Sequence, residues 1–192
     1  MIRSHVAALT SILLAAPASA QVWTVDPEAS ALNFFSLKND EIAEQHAFTG
    51  LSGSVAADGT ARIEISLASV ASGIDIRDQR MRDMLFQVAD WPLAEVSAQV
   101  DPAAFEALAP GQGALAEVTL TVETYGESAD YPASLAVTRL AQDRVAISTV
   151  SPILVSAGDF GYGDGVDALR EVAGLDAISP DVPVVFLLVL ER

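Results

Sequence analysis

From Trp23 onward the chain alternates apolar and polar residues with a period of two. Ile63, Ile65 and Leu67 alternate with Arg62, Glu64 and Ser66, and Val118, Leu120 and Val122 alternate with Glu117, Thr119, Thr121 and Glu123. A period of two puts one face of a strand in water and the other in a core. Further strands are expected over 23–25, 31–37, 48–56, 93–100, 133–140, 144–150 and 182–191. Between them stand turn residues such as Ala57-Asp58-Gly59, Gly111-Gln112-Gly113 and Gln142-Asp143. Helical spacing occurs only in short pieces, at 76–85, 102–108 and 166–173. No strand–helix–strand rhythm recurs, which argues against a parallel sheet. The pattern predicts an all-β, antiparallel barrel or sandwich with short connecting helices. Leu32, Phe34, Ile63, Ile65, Leu67, Val118, Leu120 and Val122 are expected to face inward. The last strand differs, because Val184 to Leu190 is apolar on both faces. Either helices cover its outer face, the 76–85 and 166–173 segments being the candidates, or it lies where barrel and plug meet; the covered strand is the expectation.

The first twenty residues follow another rule. Met1-Ile2-Arg3-Ser4-His5 is a short basic start, Val6 to Ala16 is mostly apolar, and Ala18-Ser19-Ala20 offers small residues for cleavage. This is the arrangement of a secretory leader, 1–20, ahead of one domain, 21–192. The apolar run is shorter than the roughly 20 residues that span a bilayer, so no membrane span is expected in the mature chain.

Composition narrows the chemistry. The 192 residues carry 26 acidic against 10 basic side chains, a formal charge of −16, and contain no cysteine. Such a surface repels nucleic-acid phosphates and anionic lipid, so no nucleic-acid partner is expected. Without cysteine there is no disulfide, no thiolate metal site and no cysteine nucleophile. His46 is the only histidine beyond the leader, and it reads as a hydrogen-bonded residue at a strand end. Gly50-Leu51-Ser52-Gly53 lacks the spacing of a serine nucleophile elbow. Asp159-Phe160-Gly161 spells a kinase motif without its companion loops, and the glycine-rich 158–165 loop lacks calcium-loop spacing. Neither a catalytic residue nor a metal site is expected. Arg77-Asp78-Gln79-Arg80-Met81-Arg82-Asp83 gathers three basic residues. Arg77 and Asp78 are read as a structural pair or as contacts to a ligand head group.

An ordered set of short matches resembles the YceI family of polyisoprenoid-binding proteins. It comprises Trp23-Thr24-Val25-Asp26-Pro27 with Ser30 and Leu32-Asn33-Phe34, Phe48-x-Gly50-Leu51-x-Gly53, and Ser69-Val70. It continues through Ile76-Arg77-Asp78, Met81-Arg82, Leu85-Phe86 and Trp91-Pro92-Leu93-Ala94 into the 120–140 strand pair. The resemblance implies a lipocalin-like barrel of about eight strands in the periplasm, holding an isoprenoid or other long-chain lipid without chemistry. The tail would lie against the inward set above together with Phe48, Phe86, Phe186 and Leu188. No cofactor is implied beyond a bound isoprenoid lipid or quinone, and a homodimer is left open. The residues alone leave two alternatives: a β-domain with a filled core serving an envelope electron-transfer system, or a lipid-modifying enzyme.

Overall fold

A computed structural model describes residues 22–192; the expected leader, 1–20, lies outside the described residues. In chain order the strands are β1 (Trp23–Val25), β2 (Ala31–Lys38), β3 (Ile42–Phe48), β4 (Leu51–Val55), β5 (Thr60–Ser66), β6 (Val70–Ala71), β7 (Leu93–Gln99), β8 (Gly113–Thr124), β9 (Glu127–Ala141), β10 (Arg144–Thr149), β11 (Ile153–Ser156) and β12 (Asp181–Glu191). The helices are α1 (Asp75–Arg80), α2 (Pro102–Glu106) and α3 (Gly163–Ala173). None of the described helices is long and apolar enough to cross a membrane.

Several of these strands are halves of longer ones. β1 pairs with β4 while β2 pairs with β3, so two continuous neighbours run side by side, one broken at 26–30 and the other bent at Thr49-Gly50. β5 and β6 are split by one 3-10 turn over Leu67–Ser69, and β10 and β11 by Ser151-Pro152. Joined in this way, eight antiparallel staves follow one another in sequence order. β12 then pairs with β10 and β11 on one side and with β1 and β2 on the other. The result is the closed, up-and-down eight-stranded barrel that the alternation predicts.

The break at 26–30 has a local cause. Asp26 Oδ1 accepts the N–H groups of Glu28 and Ala29, and Pro27 between them has no N–H to give to a ladder. Ser30 Oγ takes up the loss by accepting from Val189 N at 2.9 Å.

Each end of the barrel is finished differently. The lower end is sealed by Trp23, whose ring lies between the guanidinium groups of Arg139, 5.1 Å from its centroid, and Arg192, at 4.4 Å. Arg139 is itself buried and donates to the carbonyls of Ala141, Gln142 and Phe105. Phe105 belongs to α2, which is capped by Asp101 accepting from Ala103 N. The upper end carries α1, α3 and the 38–42 hairpin.

Two expectations are corrected here. The 76–85 segment is not one helix: α1 ends at Arg80 and a wider π-type turn follows over Met81–Leu85, closed by Phe86 N donating to Met81 O at 2.9 Å. Nor do α1 and α3 cover the outer face of β12. They lie across the upper end instead, where α3 packs on the 81–85 turn so closely that a Cβ on Gly165 would sit 2.9 Å from Leu85 Cα. On the outer face of β12, Val189 is buried under the 26–30 loop, Pro183 and Val185 are half-buried, and Leu187 stays 40% exposed.

The lower seal predicts an asymmetry between arginines. Arg139→Ala leaves buried carbonyls without donors and is expected to cost about 3 kcal/mol, a fall of about 6–12 °C in Tm for a chain of this size. Arg62→Ala removes an exposed pair with Glu95 and is expected to cost under about 1 kcal/mol. Thermal unfolding followed by circular dichroism checks both; equal losses would contradict the assigned role of Arg139.

Candidate functional site

The barrel is hollow. A cavity of about 480 Å³ runs along its axis, within the usual range for sites that hold small molecules. All twelve inward positions expected from the sequence line it: Leu32, Phe34, Phe48, Ile63, Ile65, Leu67, Phe86, Val118, Leu120, Val122, Phe186 and Leu188. Arg62 points outward to Glu95, and Glu64 outward to Ser52. A lumen survives because β7 lines the wall with small side chains, Ala94, Val96, Ser97 and Ala98. Side chains that small cannot meet those of the opposite strands, so the filled-core alternative does not hold.

The walls change character along the axis. On β2 the inward residues are Leu32, Phe34, Ser36 and Lys38, and on β3 they are Phe48, His46 and Glu44. Register sets Leu32 beside Phe48, Phe34 beside His46, and Ser36 beside Glu44. The face is therefore apolar in the middle of the barrel and charged at the upper end. His46 is 3% exposed, packs 5.0 Å from the Phe34 ring and shares a 2.8 Å hydrogen bond between Nε2 and Ser36 Oγ. Its Nδ1 is buried without a partner. Burial first, and then Arg77 nearby, push its pKa below the ordinary value, so the imidazole is neutral. Glu44 Oε2 accepts from Lys38 Nζ and from Arg77 Nη1, each at 2.6 Å. The Lys38 hydrogen bond first, with Arg77 beside it, holds the carboxyl below its usual range.

Above Ala47 the second edge of β3 has no strand partner among the described residues, because β6 pairs only with Ala47 and Phe48. α1 bridges that gap through Arg77. The guanidinium donates to Glu44, to Ser72 Oγ at 2.8 Å and to the Ser72 carbonyl at 2.7 Å, while Asp78 Oδ1 accepts from Ser72 N at 2.8 Å. Arg77 and Asp78 thus grip one residue together rather than bonding to each other, which corrects the expected Arg–Asp pair. Arg77 lies on the cavity wall and Asp78 does not.

The rest of the cap is held by aromatic contacts. Phe34, Phe48, Phe86, Tyr162, Tyr125 and Trp91 form a chain with successive centroids 5.1–5.8 Å apart. Gly126 is required where this chain meets the β8–β9 hairpin: its φ is +79°, and a Cβ there would lie 3.1 Å from the Trp91 ring. Tyr162 shares a hydrogen bond with Thr124, and Tyr131 donates to Asp159 at 2.8 Å. Burial, with the Asp159 carboxylate next, pushes the Tyr131 phenol up to about 12. Asp159, considered above for calcium, is thus engaged within the fold; among the described residues no three His, Asp or Glu side chains cluster to hold a metal ion. Val166, Leu169 and Val172 of α3 complete the wall, and Val172 is 43% exposed.

The residues that sequence reasoning passed over are Ser36, Lys38, Glu44, Arg80 and the inward side of α3. Their signal was present: the period of two in Leu32-x-Phe34 continues through Ser36 and Lys38. His46, expected at a strand end, lies inside β3.

Acid should weaken this end of the barrel. The unfolded His46 takes up a proton near pH 6.5, whereas the folded one resists it, so stability is lost as pH falls from 7 toward 5. Glu44 adds a loss of the same sign only as pH falls below about 4.5, toward its lowered folded value. Tm measured between pH 7 and 5 is expected to fall in the parent and to stay flatter in His46→Gln. Parallel curves would remove His46 as the cause.

Comparison places the architecture among known proteins. A polyisoprenoid-binding domain from Saccharophagus degradans implicated in plant cell wall breakdown is 39% identical, with a TM-score of 0.86 over 88% of this chain and 98% of that one. Burkholderia cenocepacia BcnA is 19% identical, with a TM-score of 0.67 over 86% and 98% of the two chains, and so shares the fold. A CJ YceI protein solved with a monobromobimane guest is 15% identical, with a TM-score of 0.55 over 77% and 84%. No curated protein sequence matches the chain. The YceI-like domain model matches residues 23–190, nearly the whole described barrel, and the chain belongs to that family.

Proposed function

We propose that this protein is an exported, periplasmic carrier that holds an isoprenoid or other long-chain amphiphile, tail in the lumen and head at the upper end, without changing it chemically. The observation that carries the reading is the apolar cavity, with Trp23 and Arg139 buried below and its wall turning charged above at Lys38, Glu44, Arg77 and Arg80. The similarity to a polyisoprenoid-binding domain supports the same class of ligand. Export rests on the basic start, apolar run and small-residue site of 1–20.

The energetics suit a tail. Burying a CH₂ is worth roughly 0.8 kcal/mol, so a dozen carbons supply on the order of 9 kcal/mol before association costs, and micromolar affinity requires about 8. Binding is favoured over catalysis because the Ser36–His46 contact lacks the third group of a hydrolytic triad: His46 Nδ1 has no carboxylate to orient it.

The test is retention. Native mass spectrometry of gently purified protein is expected to show a bound lipid, extractable and chemically intact. Leu120→Asp places a carboxylate on the apolar wall, which only water or protonation can accommodate. That variant is expected to remain folded by circular dichroism at neutral pH and to lose the lipid, while Leu120→Met keeps it. A folded Leu120→Asp protein still carrying lipid would show that the tail lies elsewhere.

A further inference from the structure

The barrel wall is not paired along its whole height. β7 and β8 share only Glu95 to Ser97 against Thr121 to Glu123, whereas β8 runs on down to Gly113 and stays paired with β9 throughout. Below Thr121 the other edge of β8 therefore has no strand beside it among the described residues. The chain that links β7 to β8 through α2 does not fill the place, since its backbone bonds go to Gly59, to its own turns and to Arg139.

The register shows which groups are left over. In an antiparallel pair, alternate residues turn their N–H and C=O to one neighbour and then to the other. Arg139 N donates to Gln112 O at 2.9 Å, and the pairing continues without a shift from Gly113 against Thr138 to Thr124 against Glu127. The even-numbered residues of β8 thus bond to β9. Gly113, Leu115, Glu117 and Thr119 present their backbone groups to the open side, where none has a partner among the described residues. All four are exposed, and Leu115, at 74%, is the most exposed large apolar side chain among the described residues. Edges that stand alone are usually blunted by lysine, proline or a bulge. From Gly113 to Thr119 there is no lysine, no proline and no bulge, and Glu117 is the one charge. The upper edge of β3 differs, because Arg77 of α1 is bonded across it to Glu44.

We propose that the Gly113–Thr119 edge of β8 pairs with the same edge of a second copy of this chain, antiparallel about a twofold axis at Ala116, in a reversible dimer. An antiparallel edge is complementary to itself, so one sequence serves both sides. The residues select the axis. About Ala116, Leu115 stands opposite the partner's Glu117 and Gly113 opposite the partner's Thr119, so all four open residues are used and each pair exchanges two hydrogen bonds. About Glu117 the two carboxylates would face each other, which is unfavourable. About Leu115, Thr119 would be left over. The formal charge of −16 opposes two copies, yet this seam brings together a stretch with one charge in seven residues. At about 3.4 Å per residue it is about 24 Å long and one strand deep, less than the roughly 800 Å² per partner of a standard interface, so the dimer is weak. None of this depends on what the lumen holds.

Sedimentation velocity of the chain without its leader tests the association. The mass is expected to rise toward twice the monomer's between about 1 μM and 1 mM. Salt should tighten the dimer severalfold between 0.1 and 1 M, as the Debye length falls from about 10 to about 3 Å. Leu115→Pro removes an N–H that β9 does not use; it is expected to leave the fold intact by circular dichroism and to weaken association at least tenfold. Single cysteines read the register in a chain that has none of its own. Ala116→Cys would face itself across the axis and should form a disulfide-linked dimer at least tenfold faster than Ala114→Cys, whose copies lie about 13 Å apart, too far to bridge. Amide exchange of the unsubstituted protein needs no variant: Leu115, Glu117 and Thr119 should exchange freely when dilute and slow as concentration rises. A monomer at every concentration overturns the proposal, as does a folded Leu115→Pro protein that dimerises as before, or equal linking of the two cysteines. So does growth beyond a dimer, which means an open rather than a twofold contact. Edge amides that slow only on adding an extended cationic peptide, (Val-Lys)₄, also overturn it and assign the edge to a foreign strand.

Discussion

Everything in this molecule depends on the closure of the sheet between its last strand and its first. β12 hydrogen-bonds to both β1 and β2 while its other edge is taken by β10 and β11, so the sheet closes on itself and β12 leaves no free edge at the seam. Closure also fixes what the interior is. With backbone groups paired around most of the ring, the inward side chains need only be apolar, and the small ones on β7 leave the axis empty. The Asp26–Ser30 interruption belongs to the same constraint: it lets one strand serve β4 below and β3 above without losing its pairing to β12.

A closed tube of this kind needs its two ends treated differently if it is to hold an amphiphile. The lower end is stiff, with Trp23 between two guanidinium groups and a buried arginine occupied by backbone carbonyls. The upper end is assembled from separate pieces joined by side chains: Arg77 to Glu44 and Ser72, Tyr131 to Asp159, Tyr162 to Thr124 and the chain of aromatic rings. Such contacts are individually modest, and this is also the end with charge and with the gap above Ala47. Rigidity and polarity thus run in opposite directions along one axis.

The sequence displayed part of this directly. Ile63, Ile65 and Leu67 against Arg62, Glu64 and Ser66 carry their own orientation, and the inward list follows from such runs. β3 was harder, since its inward residues Glu44 and His46 are polar, so alternation there has no apolar partner to stand against. The split of 76–85 was invisible because Met81, Met84 and Leu85 keep helical spacing through the π-type turn. That the barrel is hollow was beyond the pattern altogether: alternation reads the same in a filled barrel, and the difference lies in which small residues register brings opposite which large ones. The partner of Arg77, 33 positions away at Glu44, likewise exists only once β3 and α1 are neighbours.

The order of the staves has a kinetic consequence. Each stave pairs with the next one in sequence, so hairpins can form locally as the chain becomes available, but the last seam joins Thr24 to Glu191 across almost the whole length of the domain. That pairing closes the longest loop and carries the largest loop-closure entropy. Until it is made there is a curved, open sheet with an apolar face and no inside. The lumen is a property of the finished ring, so cargo can be loaded only into a completed chain.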